Sequence, residues 1–449
     1  MLRLILHLYK CFYNKKNNIM IKSINVENLY GLYSYQIDFK KTSKVTILTG
    51  PNGYGKTTIL KIIHNLLTCN LWYFNILVFS KIRIVFEDEC SIVISKLLAS
   101  DKDDIHNFET QTVCFKFCQV NESKTVSNES IFTLSANYLM RTARHSSVGY
   151  RTMDMMKGLD IEDYLTRNYR FEDDSALPED SKTMTSYLLS YNNLYVKEQR
   201  IQYEVLDFQR YGRHLINRYN VDKIVDDIKR LFAEYQDKYV KKCQEIDSHF
   251  VEKLLRNDSV DLNEERYNEI ALQIKQILDF YHEYGIAEDL KVDYTYNENF
   301  KVALFLYLQG IYDKLRVYNL LFLKMMMFVK MIDNKMLSKK TIKLNAKDGL
   351  RILDDTNYEV PLRKLSSGEQ NLIILYFYLI FKTYKGTIVC LDEPENSMHV
   401  AWQKSMLEDF KNIAKEFGIQ LIFASHSIDF VNDDWDDCVD LYRSLKNHE

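Results

Sequence analysis

The sequence predicts an α/β protein with an antiparallel β lobe and a parallel-sheet lobe, split by a large helical insertion. Three observations carry this. The glycine-rich turn G-P-N-G-Y-G-K-T-T, Gly50 to Thr58, sits between a strand pattern and a helix pattern. Near the other end, T-I-V-C-L-D and I-Q-L-I-F-A-S are buried-strand patterns separated by a helix, which is βαβ grammar and implies a parallel sheet. There is no proline between Pro178 and Pro361, and between Gly158 and Gly349 only Gly212, Gly285 and Gly310 occur, so the middle third reads as nearly uninterrupted helix.

In chain order, residues 1–19 are expected to be an N-terminal extension: their short apolar run lacks a cleavage-site pattern, and Met20 opens a better strand pattern, I-K-S-I-N-V-E-N-L. Residues 20–150 form the first lobe. Its strands are S-I-N-V, Y-Q-I-D-F, K-V-T-I-L-T, I-R-I-V-F, S-I-V-I, T-V-C-F-K-F and I-F-T-L-S-A, interrupted by the helix T-T-I-L-K-I-I-H-N-L-L. Residues 151–340 are the helical insertion, where Ile224, Ile228, Leu231, Tyr235 and Tyr239 recur at spacings of three and four along one helix face. Residues 341–449 form the second lobe, with strands T-I-K-L-N and L-R-I-L, then a helix, then the βαβ unit.

Bulk composition narrows the function. A chain of 449 residues is too long for one ordinary core, and 46% hydrophobic with 27% charged residues describes a globular protein. A net charge of −3 gives no general pull toward nucleic acid or membrane, so any DNA contact needs a local patch. No apolar run approaches the roughly 20 residues that span a bilayer, and eight scattered cysteines without C-x-x-C spacing suit a reducing compartment, so a cytoplasmic location is expected. Cys114 and Cys118 share one face of a strand, where core packing is expected.

The chemistry concentrates in four motifs. Gly50–Thr58 fits the phosphate-loop spacing: Gly50, Gly53 and Gly55 let backbone approach phosphate, with Pro51, Asn52, Tyr54 and Thr58 completing the loop. Lys56 is placed for the β and γ phosphates of ATP and Thr57 for Mg2+. In L-D-E-P-E, a buried strand ends in Asp392, suited to Mg2+, followed by Glu393, suited to polarise an attacking water as general base. I-F-A-S-H-S puts His426 just past another buried strand, where it could contact the γ phosphate; His399 is a weaker candidate, expected near a dimer interface. In R-K-L-S-S-G-E-Q, the residues Ser366, Ser367, Gly368 and Glu369 open an apolar helix whose N-terminus suits an anion.

The phosphate loop, L-S-S-G-E, L-D-E-P-E and S-H-S, in that order, resemble the ATP-binding-cassette (ABC-type) ATPases of the SMC and overcoming-lysogenization-defect type. The resemblance implies an ABC-type P-loop ATPase head in which the signature motif closes over ATP held by a second head. Ser366, Ser367 and Gly368 would then grip the γ phosphate of the partner's nucleotide, giving a homodimer through ATP-sandwiched heads, with larger assemblies also compatible. Within this class, N-L-Y-G-L-Y-S-Y-Q-I-D-F, D-E-P-E-N-S-M-H-V-A-W-Q and H-S-I-D-F-V-N-D-D-W-D resemble the PtuA ATPase subunits of Septu and retron-associated anti-phage systems. That likeness implies an H-N-H or other nuclease subunit as partner, with DNA contacted through the complex.

Departures from the pattern sharpen the expectations. No clean glutamine loop is evident; Gln111, Gln119 and Asn137 are the candidates. The insertion lacks a C-x-x-C hook, and helices of about 35 residues reach only ~50 Å, which excludes a chromosome-bridging arm. Residues 427–449 are too few for a Toprim nuclease, so cutting is expected to fall to a partner. A membrane-transporter ATPase fits poorly, because those lack an insertion of this size.

The alternative reading is a stand-alone DNA-maintenance ATPase of SMC-like type, whose best support is the basic stretch Arg141 to Arg151. The 32 tyrosines are expected to pack mainly in the insertion, and Asp433, Asp434, Asp436 and Asp437 to cap a loop rather than hold metal.

Overall fold

The computed structural model describes residues 20–97, 112–120, 126–135, 178–197, 202–207, 214–256, 262–286, 292, 294–335, 340–427 and 435–446. The chain begins with β1 (Ile21–Leu29), β2 (Tyr33–Asp38) and β3 (Val45–Thr49), then α1 (Lys56–Leu67). β4 (Lys81–Phe86), β5 (Ser91–Leu97), β6 (Thr112–Val120), β7 (Val126–Ser135) and the short β8 (Asn193–Val196) follow. After β9 (Gln202–Asp207) and β10 (His214–Tyr219) come the long helices α2 (Asn220–Ser248), α3 (Glu264–Glu283), α4 (Lys301–Leu315) and α5 (Asn319–Asp333). The chain closes with β11 (Thr341–Asn345), β12 (Gly349–Leu353), α6 (Ser367–Phe381), β13 (Ile388–Asp392), α7 (Val400–Phe417), β14 (Gln420–Ala424) and β15 (Cys438–Asp440).

These elements form two compact units, one from Lys15–Glu198 with Lys382–Glu449, the other centred on Gln199–Phe381. The first holds both large sheets. An antiparallel sheet runs β2-β1-β4-β5-β6-β7, and a parallel sheet runs β15-β3-β14-β13-β8. Every strand of the second sheet pairs in parallel, and β13, α7 and β14 make the expected βαβ unit. The reason is visible in the side chains: β13 and β14 are buried along their whole lengths, which a sheet covered on both faces requires. α1 places Ile59, Leu60, Ile62 and Ile63 in one core with Ile24 and Val26 of β1 and with Ile388 and Ile422 of the parallel sheet.

The span 151–340 is not helical throughout. N-L-Y-V forms β8 at the edge of the parallel sheet, and β9 and β10 pair as an antiparallel hairpin. Four apolar-leaning residues carry too little alternation for a strand to be read from sequence. On β6, Cys114 and Cys118 do share a face, but it is the half-buried one; Phe115 and Phe117 take the core side, so the cysteines are not core residues.

The second unit is built around α6, where thirteen of fifteen residues are buried, as a helix apolar on all sides demands. On α2 the buried stripe is Val221, Ile224, Ile228, Phe232 and Tyr239, so Phe232 takes the inward position expected of Leu231. Gly349, at φ +76°, starts β12 where an added Cβ would stand 2.7 Å from the Val225 carbonyl, so α2 and this turn approach too closely for a side chain. Lys324 on α5 is buried, and burial pushes its ammonium down to about 7. Among the described residues, no helix is long and apolar enough to cross a membrane.

Candidate active site

β3 delivers the chain to the carboxyl edge of the parallel sheet, where Gly50 (φ +136°), Gly53 (φ +86°) and Gly55 (φ +80°) turn it into α1. These conformations favour glycine, and Gly55 directly precedes the first helical residue, Lys56. The first N–H groups of α1 have no partners within the helix and face the loop with partial positive charge. Tyrosines brace this turn: the Tyr35 hydroxyl donates to the Tyr54 carbonyl at 2.8 Å, the Tyr33 and Tyr54 rings lie 5.3 Å apart, and the Tyr30 hydroxyl bonds the Thr58 hydroxyl at 2.9 Å. Tyrosine therefore serves the phosphate loop as well as the helices.

Five of the expected site residues converge at this edge. The Lys56 ammonium is buried and donates to the carbonyls of Gly50 at 2.7 Å and Pro51 at 3.0 Å. Burial lowers its pKa, opposed by the charges of Glu393, Asp392 and Glu395. The Thr57 hydroxyl donates to Asp392 Oδ1 at 2.9 Å, and the Tyr195 hydroxyl donates to Asp392 Oδ2 at 3.3 Å. Glu393 sits one residue beyond β13 at φ +44°, a left-handed conformation strained for a glutamate, of the sort found at functional sites. Its Oε1 lies 3.3 Å from His426 Nε2.

His426 is held neutral: burial depresses its pKa and the Lys56 charge depresses it further, against a smaller pull from Asp392. One tautomer satisfies both its contacts. Nδ1 accepts from Lys56 Nζ at 3.4 Å, and Nε2–H donates to Glu393. Thr57 and Asp392 offer hard oxygen donors 2.9 Å apart, a donor set that fits Mg2+.

Glu395 was not singled out from sequence. It is buried, its Oε1 accepts from the Ser425 hydroxyl and from the His426 backbone N–H, and its Oε2 is buried without a hydrogen-bond partner among the described residues. Burial raises its pKa against those donors. It ties the loop after β13 to the loop after β14 and so fixes the backbone that carries His426. In the sequence it is marked only as the third acid of D-E-P-E.

The residues of the signature-like turn lie in the other compact unit. Ser366 precedes α6 as a capping box: its backbone N–H and hydroxyl donate to Glu369 Oε2, both at 2.9 Å, and Glu369 N–H returns to the Ser366 hydroxyl at 3.3 Å. Lys340 pairs with the other Glu369 oxygen at 2.7 Å. Burial alone would raise the Glu369 carboxyl, yet Lys340 and Ser366 hold it below its ordinary range. Ser366 and Ser367 are exposed, and Gly368 is buried.

The remaining candidates divide. His399 is exposed and caps α7, its Nδ1 accepting from the Ala401 N–H at 3.2 Å. Gln119 lies within β6 of the antiparallel sheet, while Gln111 and Asn137 fall outside the described residues. The stretch Arg141–Arg151, Asp433 and Asp434 also fall outside them. Asp437 pairs with Lys411 at 2.8 Å, and among the described residues no cluster of three or more metal-ligating side chains occurs.

Comparison with known proteins gives the family. The model for the AAA ATPase domain (AAA_15) matches residues 20–431, and this chain belongs to that family. No curated protein matches it. Among solved structures it is similar to the Smc head domain with an extended coiled coil bound to the C-terminal domain of ScpA from Pyrococcus furiosus, at 16% identity and TM-score 0.34, covering 92% of this chain and 91% of that one. It is also similar to a SmcHead bound to the C-winged helix domain of ScpA, at 15% identity and TM-score 0.34, covering 91% and 90%. The SMC head domain from Thermotoga maritima follows at 10% identity and TM-score 0.30, covering 92% and 90%.

Proposed function

We propose that this AAA-family ATPase hydrolyses Mg2+-bound ATP at the carboxyl edge of its parallel sheet, and that ATP joins two copies of the head in a complex that restrains or licenses a nuclease in anti-phage defence. The observation that carries the hydrolytic part is the convergence of Lys56, Thr57, Asp392, Glu393 and His426 at one sheet edge. Thr57 and Asp392 would hold the cation, which supplies charge neutralisation across the phosphates. Lys56 exchanges its loop carbonyls for phosphate oxygens. Glu393 orients and deprotonates the water, and neutral His426, donating through Nε2, sets the Glu393 carboxylate and senses the γ phosphate.

Dimerisation around ATP rests on the signature turn. The Ser366 hydroxyl is engaged by Glu369, so the gripping groups in this reading are the Ser367 hydroxyl and the first N–H groups of α6. The defence role and the nuclease partner rest on the resemblance of the quoted motifs to PtuA-type subunits.

Purification of the complex from its host with ATP present tests this reading. A stoichiometric H-N-H or other nuclease, with its cutting altered by ATP, is the expected result. Bound DNA without a protein partner, lost on changing Arg141, Arg144 and Arg151 to Glu, would favour the DNA-maintenance alternative.

A further inference from the structure

We infer that Tyr195 is a positioning residue for the divalent cation, its hydroxyl fixing the Asp392 carboxylate so that the oxygen shared with Thr57 faces the metal. The inference rests on the Mg2+-ATP reading and extends it to a residue from a strand that carries no nucleotide motif. Thr57 holds Oδ1 of Asp392 at 2.9 Å and Tyr195 holds Oδ2 at 3.3 Å, so both oxygens are pinned and the carboxylate plane is set from two sides. Asp392 is itself buried at the end of β13, and a buried carboxylate without such donors would turn to find them.

The support beneath Tyr195 is built from the same strand. Its ring stacks on the His64 ring of α1 at 5.0 Å and 23°, and His64 Nδ1 bonds Asn193 Oδ1 at 3.0 Å. Asn193 and Tyr195 are two residues apart on β8 and therefore share a face. β8 pairs in register with β13, Tyr195 opposite Cys390 and Val196 opposite Leu391, which brings the hydroxyl to the next residue along, Asp392. One edge strand thus supplies both the hydroxyl that holds the metal ligand and the amide that holds the ring supporting it. Partners that orient a metal ligand typically account for about 10- to 100-fold of metal affinity.

Tyr195→Phe tests this, because it keeps the ring on His64 and removes only the hydroxyl. The readout is binding of Mn2+ as a paramagnetic substitute for Mg2+, titrated by electron paramagnetic resonance into the full chain saturated with ADP. The variant is expected to bind Mn2+ about ten-fold more weakly than the parent, while its ADP affinity in EDTA and its unfolding midpoint stay at the parent's values. Mn2+ affinity within two-fold of the parent would overturn the role of Tyr195 and leave the Mg2+-ATP reading standing. A parent protein with no ADP-dependent Mn2+ binding would overturn that reading and this inference with it. Equal loss of ADP affinity in EDTA would make Tyr195 a general structural residue and would also overturn the inference.

Discussion

At the edge of the parallel sheet His426 meets Glu393 at 3.3 Å and Lys56 at 3.4 Å, whereas at the head of α6 Ser366 closes on Glu369 twice at 2.9 Å and Lys340 closes on Glu369 at 2.7 Å. Both turns are suited to phosphate, yet they differ in how their polar groups are satisfied. The sheet edge holds His426 in contacts of 3.3 and 3.4 Å and rests its lysine on loop carbonyls, and the buried Glu395 Oε2 has no hydrogen-bond partner among the described residues. Such groups can regroup around a ligand at little cost. The turn at Ser366 is a completed helix cap whose acid is already paired with Lys340, so what it would offer a ligand under the proposed reading is helix N–H groups rather than a charge.

The largest effect on binding should come from breaking the loose side of this contrast. Lys56→Ala removes the ammonium that we propose exchanges carbonyls for phosphate, and nucleotide affinity is expected to fall by about two orders of magnitude, the worth of charge-assisted phosphate bonds. Fluorescent-nucleotide titration measures this, and affinity within three-fold of the parent would show that Lys56 stays on its carbonyls.

Breaking the closed side acts on stability instead. Glu369→Ala opens the capping box of α6 while leaving the Ser366 cap, and removes the carboxylate that pairs with Lys340, with an expected cost of about 1–2 kcal/mol. Urea denaturation reads it, and an unchanged midpoint would mean that the box is incidental.

The smallest effect is one of pH. Burial raises Glu395, so the folded chain keeps this proton to higher pH than the unfolded chain does. The associated stability is complete below the unfolded glutamate range and is lost as pH rises through the raised value. Glu395→Gln escapes that loss, so its Tm relative to the parent should become more favourable as pH rises above the ordinary glutamate range, by roughly 1 °C per kcal/mol in a chain of this size. A relative Tm that falls over that rise in pH would contradict the burial argument.

The contrast also explains what could be read from the sequence. Gly50–Thr58, Asp392, Glu393 and His426 were legible because each belongs to a short motif at the end of a strand with a strong apolar pattern, and the βαβ unit around α7 followed from the same patterns. Tyr195 was not, because it meets Asp392 across 197 positions from a four-residue strand without clear alternation. Glu395 and Ser425 were hidden for a related reason: their bond joins two loops that only the sheet brings together. At Cys114 and Cys118 alternation gave the shared face but not which face is buried, since Val113, Phe115 and Phe117 present an equally apolar opposite face and take the core side.

The central claim, that Glu393 acts as the base of an ATP-hydrolysing site at this edge, is tested most directly by phosphate release and nucleotide binding measured together on Glu393→Gln. ATP affinity should stay within a few-fold of the parent's, while hydrolysis falls by about 10²- to 10⁴-fold, the usual worth of a positioned general base. Hydrolysis equal to the parent's, with binding intact, would contradict it.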